Sequence, residues 1–159
     1  MPSIWWVNQG KTFAQEMAGG FLWAPLRDQR GRVQRHWETL AEVRAGDVIV
    51  HYARGAVRAL SRARSAGRPA RRPAGFLDAG TREDGRLVEV DVYRLAQAIP
   101  RDRVAGAIAA LALLDGPVLG SGGVRQGYLW RFSPAGLRIL RAASAEEWPG
   151  WAEAAWHAP

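Results

Sequence analysis

The side chains able to do chemistry in this 159-residue chain are aromatic and amide-bearing rather than nucleophilic or metal-ligating. Trp5, Trp6, Asn8, Gln9, Trp23, His36, Trp37 and Tyr52 all fall in the first 52 residues, at the ends of apolar runs or in the segments that join them. An indole offers a flat face on which a nucleobase stacks, and an Asn or Gln amide offers donors and an acceptor in one plane, matching a base edge. Eight tryptophans against four phenylalanines and three tyrosines is an unusual balance. Single tryptophans serve cores more often than ligands, so the expectation is that most are packed and a few face a ligand.

The charge points the same way. Twenty-two basic residues against 15 acidic ones give a net charge of +7, and Lys11 is the single lysine. Residues 51–77 hold no carboxylate but carry Arg54, Arg58, Arg62, Arg64, Arg68, Arg71 and Arg72, while the last sixteen residues hold Glu146, Glu147 and Glu153 and no Arg or Lys. Such polarity favours an anionic partner, with Lys11, Arg54, Arg68, Arg71 and Arg72 as candidate phosphate contacts.

Other chemistries find little support. His36, His51 and His157 lack any metal-ligand spacing, and with no cysteine there is neither a thiolate nucleophile nor a cysteine-bound metal. The glycine-rich residues 116–123 (GPVLGSGG) lack the GK[ST] of a phosphate loop, and Ser121 lacks the GxSxG frame of a hydrolase elbow. Glu89 and Asp91 share one strand face with Tyr93, the pattern of a solvated stripe. No catalytic set assembles, no cofactor is expected, and the chain reads as a binding module rather than an enzyme. The longest apolar run, residues 104–114, is far short of the roughly 20 residues of a membrane span, and the N-terminus lacks the pattern of a secretory signal. A cytoplasmic location follows as the expectation.

Residues 4–7 (IWWV) are β-prone and run into a loop at Asn8-Gln9-Gly10. Thr12-x-x-Gln15 has the spacing of a capping box, which predicts a short helix stopped by Gly19-Gly20. Residues 21–37 read as an irregular excursion around a turn at 28–31, followed by a short helix near 39–43. Strands at 48–52 and 56–65 form a hairpin across Arg54-Gly55. Residues 66–74 (AGRPARRPA) read as a basic loop, and residues 87–93 as a half-buried strand in which Val88, Val90 and Val92 alternate with Glu89, Asp91 and Tyr93. A helix over 102–114, a last strand at 128–132, a Ser133-Pro134 helix start running to 143 and a Ser144-x-x-Glu147 cap complete the chain. Strands first and helices late give an α+β class built on a curved, mostly antiparallel sheet, as one domain over residues 1–159.

Several of these segments carry a family resemblance. Trp5-Trp6-Val7-Asn8-Gln9-Gly10-Lys11, Gly20-Phe21-Leu22-Trp23-Ala24-Pro25, His36-Trp37, the run from Ala45-Gly46-Asp47 to His51-Tyr52, and Ala56-Val57-Arg58-Ala59-Leu60-Ser61 resemble the EVE domain, of the PUA-like superfamily with the YTH and ASCH domains. Val90-Asp91-Val92-Tyr93 and Gln126-Gly127-Tyr128-Leu129-Trp130 resemble the second half of EVE-type readers found in modification-dependent restriction. The resemblance implies a PUA-like pseudo-barrel with peripheral helices that flips a modified base into an aromatic cage. It places Trp23 at a cage position and Asn8 and Gln9 against the base. The segment where the YTH pattern carries further cage aromatics is here Arg-Pro-rich, with only Phe76 beyond it, so Trp37, Tyr52 or His36 is left to supply a second wall.

The function these readings support is recognition of a modified base in nucleic acid, with DNA favoured, RNA also open, and a nuclease module as the implied partner. A PUA-like RNA-binding module and a small hydrolase acting on modified nucleosides, for which Lys11 is the only lysine, are the alternatives. A protein-interaction domain using a tryptophan surface is a third.

Overall fold

The computed structural model describes residues 1–77 and 80–157. Its elements run β1 (Ile4–Asn8), α1 (Phe13–Gly19), β2 (Phe21–Pro25), α2 (Arg35–Glu38) continued by a 3-10 turn (Thr39–Glu42), β3 (Val48–Ala53), β4 (Ala56–Ala63), β5 (Arg68–Arg71), β6 (Asp84–Pro100), α3 (Arg101–Ala110), β7 (Leu129–Arg131), α4 (Pro134–Ala143) and α5 (Gly150–Ala155). One sheet takes the order β2-β6-β4-β3-β1-β7, with β5 added on β6. Only β1 and β3 pair in parallel; the other pairings are antiparallel. The result is the α+β class expected, a curved half-barrel with helices around it.

The local reasons are ordinary. Alternation in IWWV sends Trp6 to one face and Trp5 to the other, and both faces are covered, so neither indole is exposed. Trp5, Val7, Leu22, Leu40, Ile49, Val88 and Leu129 form one buried cluster. Ile4, Trp6, Val50 and Leu60 pack instead under α3, α4 and α5, through Val104, Ile108, Leu137, Leu140 and Ala152. Six of the eight tryptophans are buried; Trp37 and Trp151 are only partly covered. The β3–β4 turn has φ +52° at Arg54 and +77° at Gly55, the two left-handed residues a tight hairpin turn needs. Ser133 caps α4 as expected, accepting the Gly136 N–H at 3.0 Å with Pro134 at the first helical position.

Five sequence expectations are corrected. The basic segment is not a loop, because Arg68–Arg71 forms an edge strand on β6; Pro69 fits there since an edge leaves its missing N–H unneeded. Thr12 makes no side-chain cap, and Gln15 donates instead to the carbonyl of Gly75 at 2.9 Å. The helix expected to reach residue 114 ends at Ala110, and Ala112 turns the chain at φ +50°. Ser144 ends α4 and accepts from Trp148 Nε1 at 3.0 Å, so the final helix starts only at Gly150. The strand expected at 87–93 is longer, since β6 bends along 17 residues, pairing first with β2 and β5 and later with β4.

The edge strands β2 and β7 do not pair, and the sheet stays open between them. A side chain bridges the gap: the backbone N–H of Trp23 in β2 donates to the hydroxyl of Tyr128, one residue before β7, at 3.3 Å.

Candidate nucleic-acid interface

At this open seam lies a cleft of about 340 Å3, lined by Thr12, Glu16, Trp23, Pro25, Trp37 and Tyr128, with Arg27, Asp28 and Arg82 among its other residues. Trp23 is held there by its surroundings. Its indole Nε1 donates to the Ala70 carbonyl of β5 at 3.0 Å, its ring meets Phe76 edge-on with centroids 6.1 Å apart, and it lies so close over Gly85 that a Cβ there would come within 2.3 Å of the ring. Gly85 is where β6 passes Trp23, and any larger residue would push the indole out. Trp23 is therefore a packed wall of the cleft. Trp37, partly exposed, also lines the cleft.

The floor carries a group the sequence reading did not single out. Glu16 sits on the inner face of α1 beside Phe13 and Met17, fully buried. The hydroxyl of Tyr128 donates to its Oε2. Burial pushes the Glu16 carboxyl up to about 7, against the opposing pull of hydrogen bonding from Tyr128, Thr12 and Gln9. Burial first, and the neighbouring Glu16 charge second, hold the Tyr128 phenol well above its usual range. The signal was present in the sequence: Phe13, Glu16 and Met17 follow i, i+3, i+4 spacing, which puts the glutamate on the apolar stripe.

Gln9 and His51 extend this floor into a buried polar chain. Ser61 Oγ lies 2.7 Å from His51 Nε2 and His51 Nδ1 lies 2.8 Å from Gln9 Oε1. With the amide oxygen facing Nδ1, the neutral imidazole donates from Nδ1 and accepts from the serine at Nε2. Burial lowers the His51 pKa to about 3, which keeps that imidazole neutral. The Gln9 amide nitrogen, left facing Glu16, contributes to its hydrogen bonding without a bond of normal geometry, and Glu16 Oε1 likewise has none.

The candidate residues read from the sequence do not form one cage. Trp23 and Trp37 share the seam cleft, while Asn8, Gln9, Tyr52 and Arg54 line a second one of about 290 Å3. Asn8 uses both amide protons on the carbonyls of Arg125 and Gly127, at 2.9 and 2.8 Å, and its oxygen accepts from Trp6 Nε1 at 2.8 Å. Tyr52 stacks on Trp6, with centroids 5.3 Å apart and planes 26° apart. His36 accepts the backbone N–H of Tyr128 at Nδ1, 2.8 Å away, and touches Trp37 edge-on; burial lowers its pKa. It positions two walls of the seam cleft without being one.

The cations are spread over the surface. Lys11, Arg54, Arg68 and Arg71 are exposed. Arg71 pairs with Glu83, Arg68 reaches Glu89 at 3.9 Å, and Arg72 donates to the Phe76 carbonyl at 3.0 Å. Beside the seam cleft, Asp28 fixes its turn by accepting from the backbone of Arg32 and Arg30 and from the Gln34 amide. Those bonds, the Arg32 N–H first, hold its carboxyl down to about 2. Among the described residues no group of three or more His, Cys, Asp or Glu could hold a metal, and no helix is long and apolar enough to cross a membrane.

No protein-family model and no curated protein matches the chain. Among solved structures it is similar to the NMR structure of Rpa0253 from Rhodopseudomonas palustris, with a TM-score of 0.55 over 91% of this chain and 96% of that one, at 12% identity. That likeness is one of fold. The chain itself shows a curved half-barrel with a mixed sheet and clusters of aromatic side chains.

Proposed function

We propose that this protein is a non-catalytic reader of a modified base in nucleic acid, DNA in the first place, and that the base leaves its stack to enter the seam cleft. The observation that carries the reading is a buried carboxyl at the floor of a cleft walled by Trp23, Trp37 and Tyr128. Aromatic walls stack on any base face, and a carboxyl in a dry site can hydrogen-bond a base edge. The positive charge supplies the sequence-independent part of the affinity. A nuclease partner belongs to this reading through the EVE-like sequence segments, and a cytoplasmic setting through the cysteine-free composition. Titrating the protein with modified and unmodified nucleosides, which carry no phosphate, tests the cleft directly. Tryptophan fluorescence that responds to a modified nucleoside, and does so far less in Trp37→Ala, supports it. Equal responses to all nucleosides, or none, would sink it.

The raised pKa of Glu16 favours a second reading, since a carboxyl poised near pH 7 in a cleft can act as general acid or base. A small hydrolase acting on modified nucleosides would fit that chemistry. Product appearing in a time course with wild type, and absent with Glu16→Gln, would favour it over the reader.

A further inference from the structure

We infer that the second cleft, lined by Asn8 and the 124–127 loop, is a binding subsite for a phosphodiester of a nucleic-acid strand. Its cations are Arg54, Arg101 and Arg125, its aromatic wall is Tyr52, and no carboxylate is among the residues that line it. Guanidinium groups are the side chains best matched to phosphate oxygens.

The walls are tied to one another, so the three arginines are presented as a set. The N–H of Arg101, at the start of α3, donates to the Gly55 carbonyl of the β3–β4 turn at 2.9 Å, which brings Arg101 beside Arg54. The N–H of Gln9 donates to the Tyr52 carbonyl at 2.8 Å, and the Asn8 amide holds the carbonyls of Arg125 and Gly127. Arg125 is itself braced by its Nε bond to the Gly116 carbonyl at 2.8 Å and by its place over the Trp130 ring, 5.3 Å from the centroid. Arg54 is exposed, and among the described residues the ion pair of Arg101 is an exposed contact with Asp102 at 3.3 Å. These cations differ from those of β5, where Arg71 already faces Glu83 and Arg68 faces Glu89.

Position connects this cleft to the other. Gly127 lines one cleft and Tyr128 the other, and consecutive Cα atoms are about 3.8 Å apart. A strand whose base occupies the seam would carry its backbone past these arginines. To that extent the inference rests on the proposed reading, but the subsite needs only a phosphodiester, and its test can be separated.

The test measures the salt dependence of binding to an unmodified, mixed-sequence single-stranded DNA oligonucleotide. The proteins are wild type, the double variant Arg54→Asn with Arg101→Gln, and the β5 double variant Arg68→Gln with Arg71→Gln. Asn is chosen at 54 because it tolerates positive φ, and Arg125 is left in place because it braces the loop. A cation that contacts a phosphate contributes about 0.7 to the slope of log K against log salt on a single strand, so the cleft variant should lose about 1.4 and the β5 variant much less. Matching melting temperatures establish that both variants fold. An unchanged slope in the cleft variant, a larger loss in the β5 variant, or no binding by wild type at low salt would each overturn the subsite. So would shifts of the Arg54 and Arg101 side-chain resonances with inorganic phosphate while the oligonucleotide slope stays unchanged, which would mark a free-phosphate site. The nucleoside titrations involve no phosphate, so the seam reading fails or stands on them alone.

Discussion

Tyr128 donates its hydroxyl to Glu16, and the same hydroxyl oxygen accepts the N–H of Trp23. One phenol therefore ties the residue before β7 to both β2 and α1, and the cleft lies over that junction. Its carboxyl partner is raised to about 7 because burial outweighs the hydrogen bonds it receives. A buried group in that state makes fold and site titrate together.

The sign of the Glu16 effect is set by which state holds the proton. Its pKa rises from an ordinary 4.5 to about 7 on folding, so between those values the folded state binds the extra proton. Its contribution is fully present below pH 4.5 and is lost as pH climbs through 7, amounting to about 3 kcal/mol in all. Glu16→Gln keeps an oxygen for Tyr128 and removes the charge, so urea denaturation should find it more stable than wild type at pH 8 and closer to it at pH 5. Parallel pH profiles for the two proteins would show that the carboxyl is not held as described.

His51 works in the opposite sense. Burial lowers its pKa from 6.5 to about 3, so the unfolded chain binds the extra proton between those values and stability is lost as pH falls below 6.5. From 6.5 to 4.5 the two groups nearly cancel, each with a slope near 1.4 kcal/mol per pH unit. Glu16→Gln should therefore uncover a steep loss of stability below pH 6.5 that wild type shows only at lower pH. Denaturation midpoints at half-unit steps would reveal it; a flat profile in the variant would exclude an uncompensated buried imidazole.

How far the sequence anticipated this arrangement depends on whether the signal was local. The β3–β4 hairpin, the alternating valines of β6 and the Ser133 cap depend on a few adjacent residues, and each formed where expected. Arg68–Arg71 depends on a partner far along the chain: its prolines and arginines have no strand period, yet β6 offers an edge that takes them. Trp23 was recognised as part of the site, but its burial under Phe76 and over Gly85 is a tertiary fact. Asn8 and Gln9 were adjacent in sequence and so were given one role, whereas the Asn8 amide is bonded to the 125–127 loop and the Gln9 amide oxygen to His51.

Burial of Trp23 changes how the cleft is probed. Trp23→Ala should cost about 3 to 5 kcal/mol of stability, since it empties a packed site. Trp37 is partly exposed, and Trp37→Ala should instead weaken binding of a modified oligonucleotide by about 1 to 3 kcal/mol with a much smaller change in melting temperature. Unchanged binding by a folded Trp37→Ala would remove that wall from the site.

Gly85 should tolerate no side chain. A Cβ there would stand 2.3 Å from the Trp23 ring and 2.4 Å from the Ala24 carbonyl, and backbone cannot yield as a flexible side chain does. Gly85→Ala is expected to destabilise by about 1 to 3 kcal/mol or more and to drive the indole toward the cleft. Fluorescence and melting measured together would show both changes. A variant with wild-type stability and spectrum would mean that Trp23 does not lie over β6.

Asn8 and Gln9 offer the sharpest separation between holding the fold and reading a ligand. Asn8→Ala removes two bonds to the carbonyls of Arg125 and Gly127 and leaves the Trp6 indole N–H without its acceptor. The loop it tethers lines the second cleft, so the variant should melt lower, bind oligonucleotides more weakly at low salt, and keep the wild-type ratio between modified and unmodified bases. Gln9→Ala acts elsewhere. It breaks the bond to His51 Nδ1 and withdraws an amide that favours ionised Glu16, so the glutamate pKa should rise further and the base ratio should become more pH-dependent around neutrality. Measuring both ratios at pH 6 and pH 8 decides the matter. A changed ratio in Asn8→Ala would give that amide a part in base recognition, and a Gln9→Ala ratio that ignores pH would detach the buried chain from the cleft.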